Sequence, residues 1–153
     1  MAEHGSLVAL RSKDGDGWAE LTYDDVAQRV ARAAAGLRSL GVAPGDRVVL
    51  MMRNIPEFHI VDLAVVFCGA TPVSIYNSSP PDQVAYLSGH CHATVAVVED
   101  AGFLERFTVV RDELPDLRHI VALSGAEVVA GQPGTEGVVP GSVLTDSEPV
   151  DLA

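Results

Sequence analysis

The tightest cluster of metal-type side chains in the sequence is His90-Cys91-His92. Imidazole nitrogen and thiolate sulfur bind zinc well, but a zinc site needs three or four ligands that converge. The sequence offers no second ligand pair at a recognisable spacing, and histidines near a helix C-terminus are also explained by the helix dipole. His59 and His119 stand alone. We therefore predict that these residues are structural and that the chain has no metal site.

The segment Asn77-Ser78-Ser79 is the best candidate for an anion site, because it follows a predicted strand and opens a predicted helix. Backbone N–H groups at the start of a helix can hold a phosphate. The segment has no glycine to let a phosphate approach closely, and Ser79 is explained as the cap of the helix. A cap is the favoured interpretation, and a small anion- or nucleotide-binding domain is kept as an alternative.

Paired carboxylates could perform acid–base chemistry, and Asp24-Asp25 is one such pair. Consecutive helix residues do not face each other, so the two carboxylates are not predicted to act as a pair. Both are instead predicted to lie in the first turn of a helix, where a negative charge interacts favourably with the helix dipole. The run Asp14-Gly15-Asp16-Gly17 lacks an oxygen ligand at Trp18 and is predicted to be a hairpin turn rather than a calcium loop. The sequence has no nucleophile elbow, glycine-rich dinucleotide motif or Walker loop. We predict no catalytic or cofactor-binding residue in this chain.

Composition excludes several classes of partner. The 153 residues carry a formal net charge of −11, and Lys13 is the only lysine. Such an acidic surface repels nucleic-acid phosphates and anionic lipid headgroups. Residues 1–6 do not resemble a signal peptide, and the apolar run at 60–70 is too short to cross a bilayer. Together with two cysteines interpreted as reduced thiols, Cys68 and Cys91, this predicts a cytoplasmic protein without a transmembrane segment.

Hydrophobic periodicity predicts strands that alternate with helices after a short hairpin. Strands are predicted at 8–12, 18–22, 47–52, 71–77, 94–99 and 118–123, and helices at 22–41, 56–68, 79–89 and 103–114. This order predicts an α/β fold, with a mostly parallel sheet, crossover helices on its faces and a short N-terminal hairpin. The helix at 56–68, capped by Asn54, is apolar nearly all round and is predicted to be buried.

The last thirty residues differ in character from the rest. Residues 124–153 are rich in Gly, Pro, Val and Ser, and they carry five carboxylates and neither Lys nor Arg. Without a sustained hydrophobic period, such a segment is predicted to be an irregular, mobile tail. We therefore place the folded subdomain at 1–123 and the tail at 124–153.

Several segments, taken together, resemble conserved motifs of the adenylate-forming superfamily, in particular the AMP-forming acyl-CoA synthetases. They are LTYDDV at 21–26, LGVAPGDRVV at 40–49, RNIPEF at 53–58, VFCGATPVSIYN at 66–77 and the strand at 95–99. The sequence SIYNSS at 74–79 is most similar to the corresponding segment of the long-chain fatty-acid–CoA ligase branch. The matching residues have structural roles: Thr22 as a helix cap, Gly41 and Gly45 as backbone requirements, and Gly69 as a helix end.

The resemblance implies a partial domain of a larger adenylate-forming fold. The intact family enzyme would use ATP, Mg²⁺ and coenzyme A to convert a fatty acid to an acyl-adenylate and then to an acyl-CoA. The chain ends before the family's phosphate-binding loop, so we expect a truncated or split product that binds no cofactor and is inactive alone. Its partner would be a separate chain carrying the rest of the synthetase. The alternative is a non-catalytic interaction module that associates with a partner or with itself.

Overall fold

The computed structural model describes residues 4–152 and contains an antiparallel hairpin, a parallel sheet and helices on both sheet faces. The strands are β1 (Val8–Asp14), β2 (Gly17–Thr22), β3 (Arg47–Met51), β4 (Thr71–Ser74), β5 (Val95–Val98), β6 (His119–Ala122) and β7 (Val138–Pro140). The helices are α1 (Tyr23–Ser39), α2 (Pro56–Phe67), α3 (Pro81–His90), α4 (Ala101–Thr108), α5 (Ala126–Val129) and α6 (Ser142–Thr145), with a 3-10 turn at Arg111–Glu113.

The five strands of the main sheet lie in the order β4-β3-β5-β6-β7, and every neighbouring pair is parallel. Val48 of β3 stands beside both Pro72 of β4 and Val95 of β5, so β3 is an interior strand although it comes first in the chain. Helices connect successive strands, as parallel pairing requires. The predicted α/β fold with a preceding hairpin is confirmed.

Two hydrophobic cores lie on opposite faces of the sheet. Val48 and Leu50 of β3 face the core that includes α1, α2 and α6, whereas Val49 and Met51 face the core with α3, α4 and α5. All four side chains are fully buried, because a central strand covered on both faces exposes neither set of alternating residues.

The first helix is held in place by local devices that the sequence predicts. The Thr22 side chain accepts a hydrogen bond from the backbone N–H of Asp25, and the Asp25 carboxylate accepts one from the backbone N–H of Thr22, which forms a capping box. Gly41 follows the helix with φ of 84°, a conformation that favours glycine. The turn before β3 places Gly45 at φ of 88°, as a type II turn requires.

Four details of helices α2 and α3 differ from the predictions. Asn54 does not cap α2, because the capping position falls one residue later on Ile55, which makes no side-chain cap. Pro80 rather than Ser79 is the capping residue of α3, and α3 continues through Gly89 to His90. Helix α2 is not buried all round as predicted, because Leu63, Val66 and Phe67 lie on the side away from α1 and the sheet and are exposed.

Residues 124–152 are more ordered than an irregular tail. Strand β7 pairs in parallel with β6, and α6 packs on α1, where Leu144 is 4 % exposed. Gly36 makes this contact possible, because a Cβ at that position would overlap the carbonyl oxygen of Val143. The prediction of irregular structure was wrong for β7 and α6. Both elements are only three or four residues long, which is too short to show a hydrophobic periodicity in the sequence. The boundary at residue 123 stays a prediction.

Among residues 4–152, no helix is long and apolar enough to cross a membrane. The prediction that no signal peptide opens the chain concerns residues 1–6, of which 1–3 lie outside the described residues.

Candidate functional site

The loops that follow β3 and β5 leave the sheet in opposite directions. After β3 the chain enters α2 on one face, and after the adjacent β5 it enters α4 on the other face. In open parallel sheets, ligands bind in the crevice that such a divergence leaves at the carboxyl ends of the strands. The carboxyl edge between β3 and β5 is therefore where this fold would bind a ligand.

Arg53, just after β3, forms the centre of a cluster of side chains at this edge of the sheet. Its Nη1 lies 2.6 Å from Oε1 of Glu99 and 2.9 Å from Oδ2 of Asp100, the two residues that follow β5. The backbone N–H of Arg53 also donates to Oε2 of Glu99, at 2.7 Å. We call Arg53, Glu99, Asp100, Phe103 and Arg106 the carboxyl-edge cluster.

Asp100 serves two purposes in this cluster. Its Oδ1 accepts hydrogen bonds from the backbone N–H groups of Gly102 and Phe103, which caps α4, while Oδ2 accepts from Arg53. Partial burial acts to raise the pKa of the Asp100 carboxyl, but the bonds from Arg53 and the backbone donors outweigh it and lower the pKa overall. The same two carboxylates, Asp100 first, raise the pKa of Arg53. The carboxylate of Asp100 and the guanidinium of Arg53 therefore form an ionised pair at neutral pH.

Phe103 joins the two arginines of the cluster. The guanidinium carbon of Arg53 lies 5.0 Å from the centroid of the buried Phe103 ring, and the guanidinium carbon of Arg106 lies 5.1 Å from the same centroid. Arg106 in turn donates to the backbone carbonyls of Asn77 and Ser79, in the loop after β4. A hydrogen bond from Ser124 to the carbonyl oxygen of Glu99 ties in the loop after β6. The cluster thus connects the loops that follow four parallel strands.

The chemistry open to this cluster is limited. Both carboxylates accept from Arg53, so they are poor general bases and poor ligands for a second cation. Among residues 4–152, no group of three or more His, Cys, Asp or Glu side chains is placed to hold a metal ion. The cluster can hold the loops in a fixed relative position at the edge where a ligand would bind, but it supplies no nucleophile.

The structure separates the side chains of His90-Cys91-His92. The His90 ring stacks on Tyr86 with centroids 5.7 Å apart, and Nδ1 of His92 lies 2.8 Å from Oδ2 of Asp116. The Cys91 thiol donates to the carbonyl of Ser88, and burial raises its pKa. The three side chains therefore have different partners.

The segment 77–79 is occupied by protein contacts. The carbonyls of Asn77 and Ser79 point to Arg106, and Ser79 is 6 % exposed. Pro80 and Pro81, which begin α3, have no N–H to offer an anion. Asp82 adds a negative charge in the same turn. These features disfavour the anion-site alternative on electrostatic and hydrogen-bonding grounds.

The remaining candidates lie in structural positions. Asp25 belongs to the capping box, where the hydrogen bond from the Thr22 side chain is the main cause of a lowered pKa. Asp14 and Gly17 close the β1–β2 hairpin, as predicted. The other thiol, on buried Cys68, donates to the carbonyl of Ala34, and burial raises its pKa. His59 contacts the edge of the Phe58 ring, and His119 lies in β6.

Sequence reasoning missed the carboxyl-edge cluster. Arg53 and Glu99 are 46 residues apart, and no local spacing connects them. A signal was nevertheless available, because Arg53 follows the predicted strand 47–52 and Glu99 ends the predicted strand 94–99, and the carboxyl ends of parallel strands share one edge of a sheet.

The chain belongs to the AMP-binding enzyme family, whose domain matches residues 1–151. It is 32 % identical over 119 residues to the long-chain-fatty-acid–CoA ligase ACSBG2 of Xenopus laevis, a match that covers 78 % of this chain and 16 % of the ligase. It is 39 % identical over 119 residues to the uncharacterised protein Rv1549 of Mycobacterium tuberculosis, covering 78 % of this chain and 65 % of that protein. The chain thus spans less than two thirds of these relatives.

Solved structures show the same relation. The anthranilate CoA ligase AuaEII, in complex with anthranoyl-AMP, is 28 % identical, with a TM-score of 0.71 over 78 % of this chain and 22 % of its own. An acyl-CoA synthetase of Brucella canis, at 21 % identity, shares the fold with a TM-score of 0.75 over 94 % of this chain and 26 % of its own. The structure is therefore a fragment of the larger adenylate-forming fold.

Proposed function

We propose that this chain supplies the N-terminal α/β unit of a cytoplasmic acyl-CoA ligase that activates a long-chain fatty acid as its adenylate. The observation that carries the proposal is the family match over residues 1–151 of a chain that spans only 16 % of the ACSBG2 ligase. The long-chain-fatty-acid–CoA ligase FadD15 of Mycobacterium bovis supports the same substrate class. It is 32 % identical to this chain over 109 residues, and the match covers 18 % of the ligase.

We further infer that the chain does not perform this reaction alone. The resemblance to the family implies lysines that contact the phosphates and the adenylate. Lys13 is the only lysine of the sequence, and its Nζ lies 4.9 Å from the centroid of the Trp18 ring on the hairpin, which gives it a structural role. The carboxylates of the carboxyl-edge cluster are held by Arg53. The catalytic groups would come from the remainder of the fold, which binds ATP, Mg²⁺ and coenzyme A.

A complementation experiment tests this proposal. The full chain is co-expressed with FadD15 lacking its own matched segment, and in parallel with AuaEII lacking its matched segment. We expect acyl-CoA formation from palmitate, ATP and coenzyme A with the FadD15 remainder, above the level of either polypeptide alone. Preferential activation of anthranilate with the AuaEII remainder would overturn the long-chain assignment, and activity with neither would overturn the proposed role.

The alternatives rank lower. A free-standing interaction module does not account for a family match that runs through nearly the whole chain. An anion-binding domain at Asn77–Ser79 is disfavoured by the prolines and the Arg106 contacts described above.

A further inference from the structure

A wide apolar groove runs along the outer surface of α1 and α2. It has a volume of about 1060 Å³ and is lined chiefly by Tyr23, Ala27, Ala31, Leu63, Phe67 and Leu152. Tyr23, Leu63 and Phe67 are 56 %, 40 % and 43 % exposed, although each carries a large apolar side chain. We call this surface the α1–α2 groove. Contiguous apolar surface of this kind marks a binding site more often than an ordinary solvated face.

Helix α2 has the composition of a helix covered on all sides. Its inner residues Ile60, Val61 and Val65 are buried against α1 and the sheet, while Leu63 and Phe67 are apolar and face the groove. A helix that is hydrophobic all round is normally buried. The prediction of burial failed for the outer side of α2 because the described residues provide no layer beyond it. The sequence of α2 therefore points to an additional layer on this side.

The charges around the groove distinguish between possible occupants. Asp24 and Asp151 line it together with His4, and the described lining residues include neither Lys nor Arg. A fatty acid, an acyl-CoA or an adenylate would place its anionic group near Asp24, with no lysine or arginine in the described lining to pair it. An apolar polypeptide surface flanked by lysine or arginine side chains is complementary both to the apolar side chains of the groove and to the carboxylates that line it.

The size of the related ligases identifies such a polypeptide. In the solved ligases described above, about three quarters of the chain lies outside the part that matches this protein. The free edge of β4 is a poor alternative docking surface. The N–H groups of Thr71 and Ile75 point toward β3, so Pro72 faces outward at that edge and has no N–H to give a further strand.

We propose that the α1–α2 groove is the docking surface for the remainder of the adenylate-forming ligase, which contributes an apolar ridge flanked by basic side chains. This inference rests on the proposed function and specifies the surface through which the two polypeptides associate. Leu63 and Phe67 would lie at the centre of the interface, where apolar side chains contribute most to binding.

Co-purification tests the inference. The tagged full chain is co-expressed with the FadD15 remainder used above, and the amount of remainder retained is compared among wild type, Leu63→Asp, Phe67→Asp and Val128→Asp. Val128 is the matched control, because it is 64 % exposed and lies on α5 at the opposite face of the sheet. We expect retention to fall at least tenfold for Leu63→Asp and Phe67→Asp, roughly the effect of removing an interface anchor, and to stay within twofold for Val128→Asp. All three replacements are at exposed sites, and thermal unfolding verifies that each variant folds.

The outcomes separate the two proposals. Equal retention of all variants, with acyl-CoA formation intact, would overturn the groove as the docking surface and leave the proposed function standing. Absence of both retention and activity for the wild type would overturn both. A chain that is dimeric alone, and made monomeric by Phe67→Asp, would assign the groove to a second copy and overturn this proposal. Binding of palmitate to the isolated chain that Phe67→Asp abolishes would instead assign it to a lipid.

Discussion

Arg53 binds both carboxylate oxygens of Glu99, one through its backbone N–H at 2.7 Å and the other through its guanidinium at 2.6 Å. The loops after β3 and β5 are thus held together at the point where the chain diverges to the two faces of the sheet. Glu99 is the less replaceable partner, because its side chain is 18 % exposed and that of Arg53 is 56 % exposed.

We predict that Glu99→Ala lowers the free energy of unfolding by about 1–3 kcal/mol, because it leaves the backbone N–H of Arg53 without its acceptor and removes one of the two carboxylates that the Arg53 guanidinium binds. The control is Glu20→Ala, which breaks an exposed pair with Arg11 on the hairpin and is expected to cost at most about 1 kcal/mol. Urea denaturation measures both. Equal effects for the two variants would mean that the cluster is no more than a surface ion pair.

The lowered pKa of Asp100 predicts how stability depends on pH. The native state releases this proton at lower pH than the unfolded chain, whose ordinary value is 3.8. The stabilisation is therefore present above that value and is lost as the pH falls through the lower, folded pKa. Asn keeps the cap of α4, since it is a good capping residue, and removes the charge.

We accordingly expect Asp100→Asn to be less stable than wild type at neutral pH. The difference in free energy of unfolding should shrink as the pH falls below about 4. Denaturation of both proteins across this range is the measurement. A difference that grows toward acid would show that the Asp100 carboxylate is not stabilised in the native state.

Gly36 gives a prediction with an unexpected sign. Helix propensity alone favours alanine over glycine inside α1 by about 1 kcal/mol. Because a Cβ on Gly36 would overlap the carbonyl oxygen of Val143, we expect Gly36→Ala to destabilise the protein by about 1–3 kcal/mol. The control, Gly89→Ala in α3, meets only Leu114 Cδ2 at 3.9 Å and should stabilise by about 0.5 kcal/mol. Stabilisation by both would disprove the close approach of α6 to α1.

Leu144 tests whether the last thirty residues are part of the fold. It is 4 % exposed and packs in the core on the α1 side of the sheet. Leu144→Ala should therefore cost about 2–4 kcal/mol, whereas Val128→Ala, at an exposed site, should stay within about 0.5 kcal/mol of wild type. Thermal and urea unfolding measure both. A negligible effect of Leu144→Ala would show that this segment does not pack in the core and would favour the irregular tail that the composition predicts.

The sequence was sufficient for features that local rules determine. The Thr22–Asp25 capping box, the glycine after α1, the type II turn at Gly45 and the β-α-β order all follow from spacing and residue type. Family membership was predicted from the resemblance of these same segments, and the match of the AMP-binding enzyme family over residues 1–151 confirms it.

Features that depend on tertiary contacts could not be predicted in this way. Strand β7 has only three residues and is stabilised by pairing with β6, so it leaves no period in the sequence. The exposed side of α2 and the carboxyl-edge cluster depend on which elements meet in space. The cap of α3 was misplaced because two prolines follow Ser79 and shift the start of the helix by one residue.

The central claim is that this chain is one part of an acyl-CoA ligase and needs the remainder for activity. The most direct measurement is the release of pyrophosphate by the purified full chain with ATP, Mg²⁺ and palmitate, with and without the FadD15 remainder. We predict release at the buffer background for the chain alone, and release above background only when the remainder is present. Release of pyrophosphate by the chain alone, dependent on palmitate, would contradict the account.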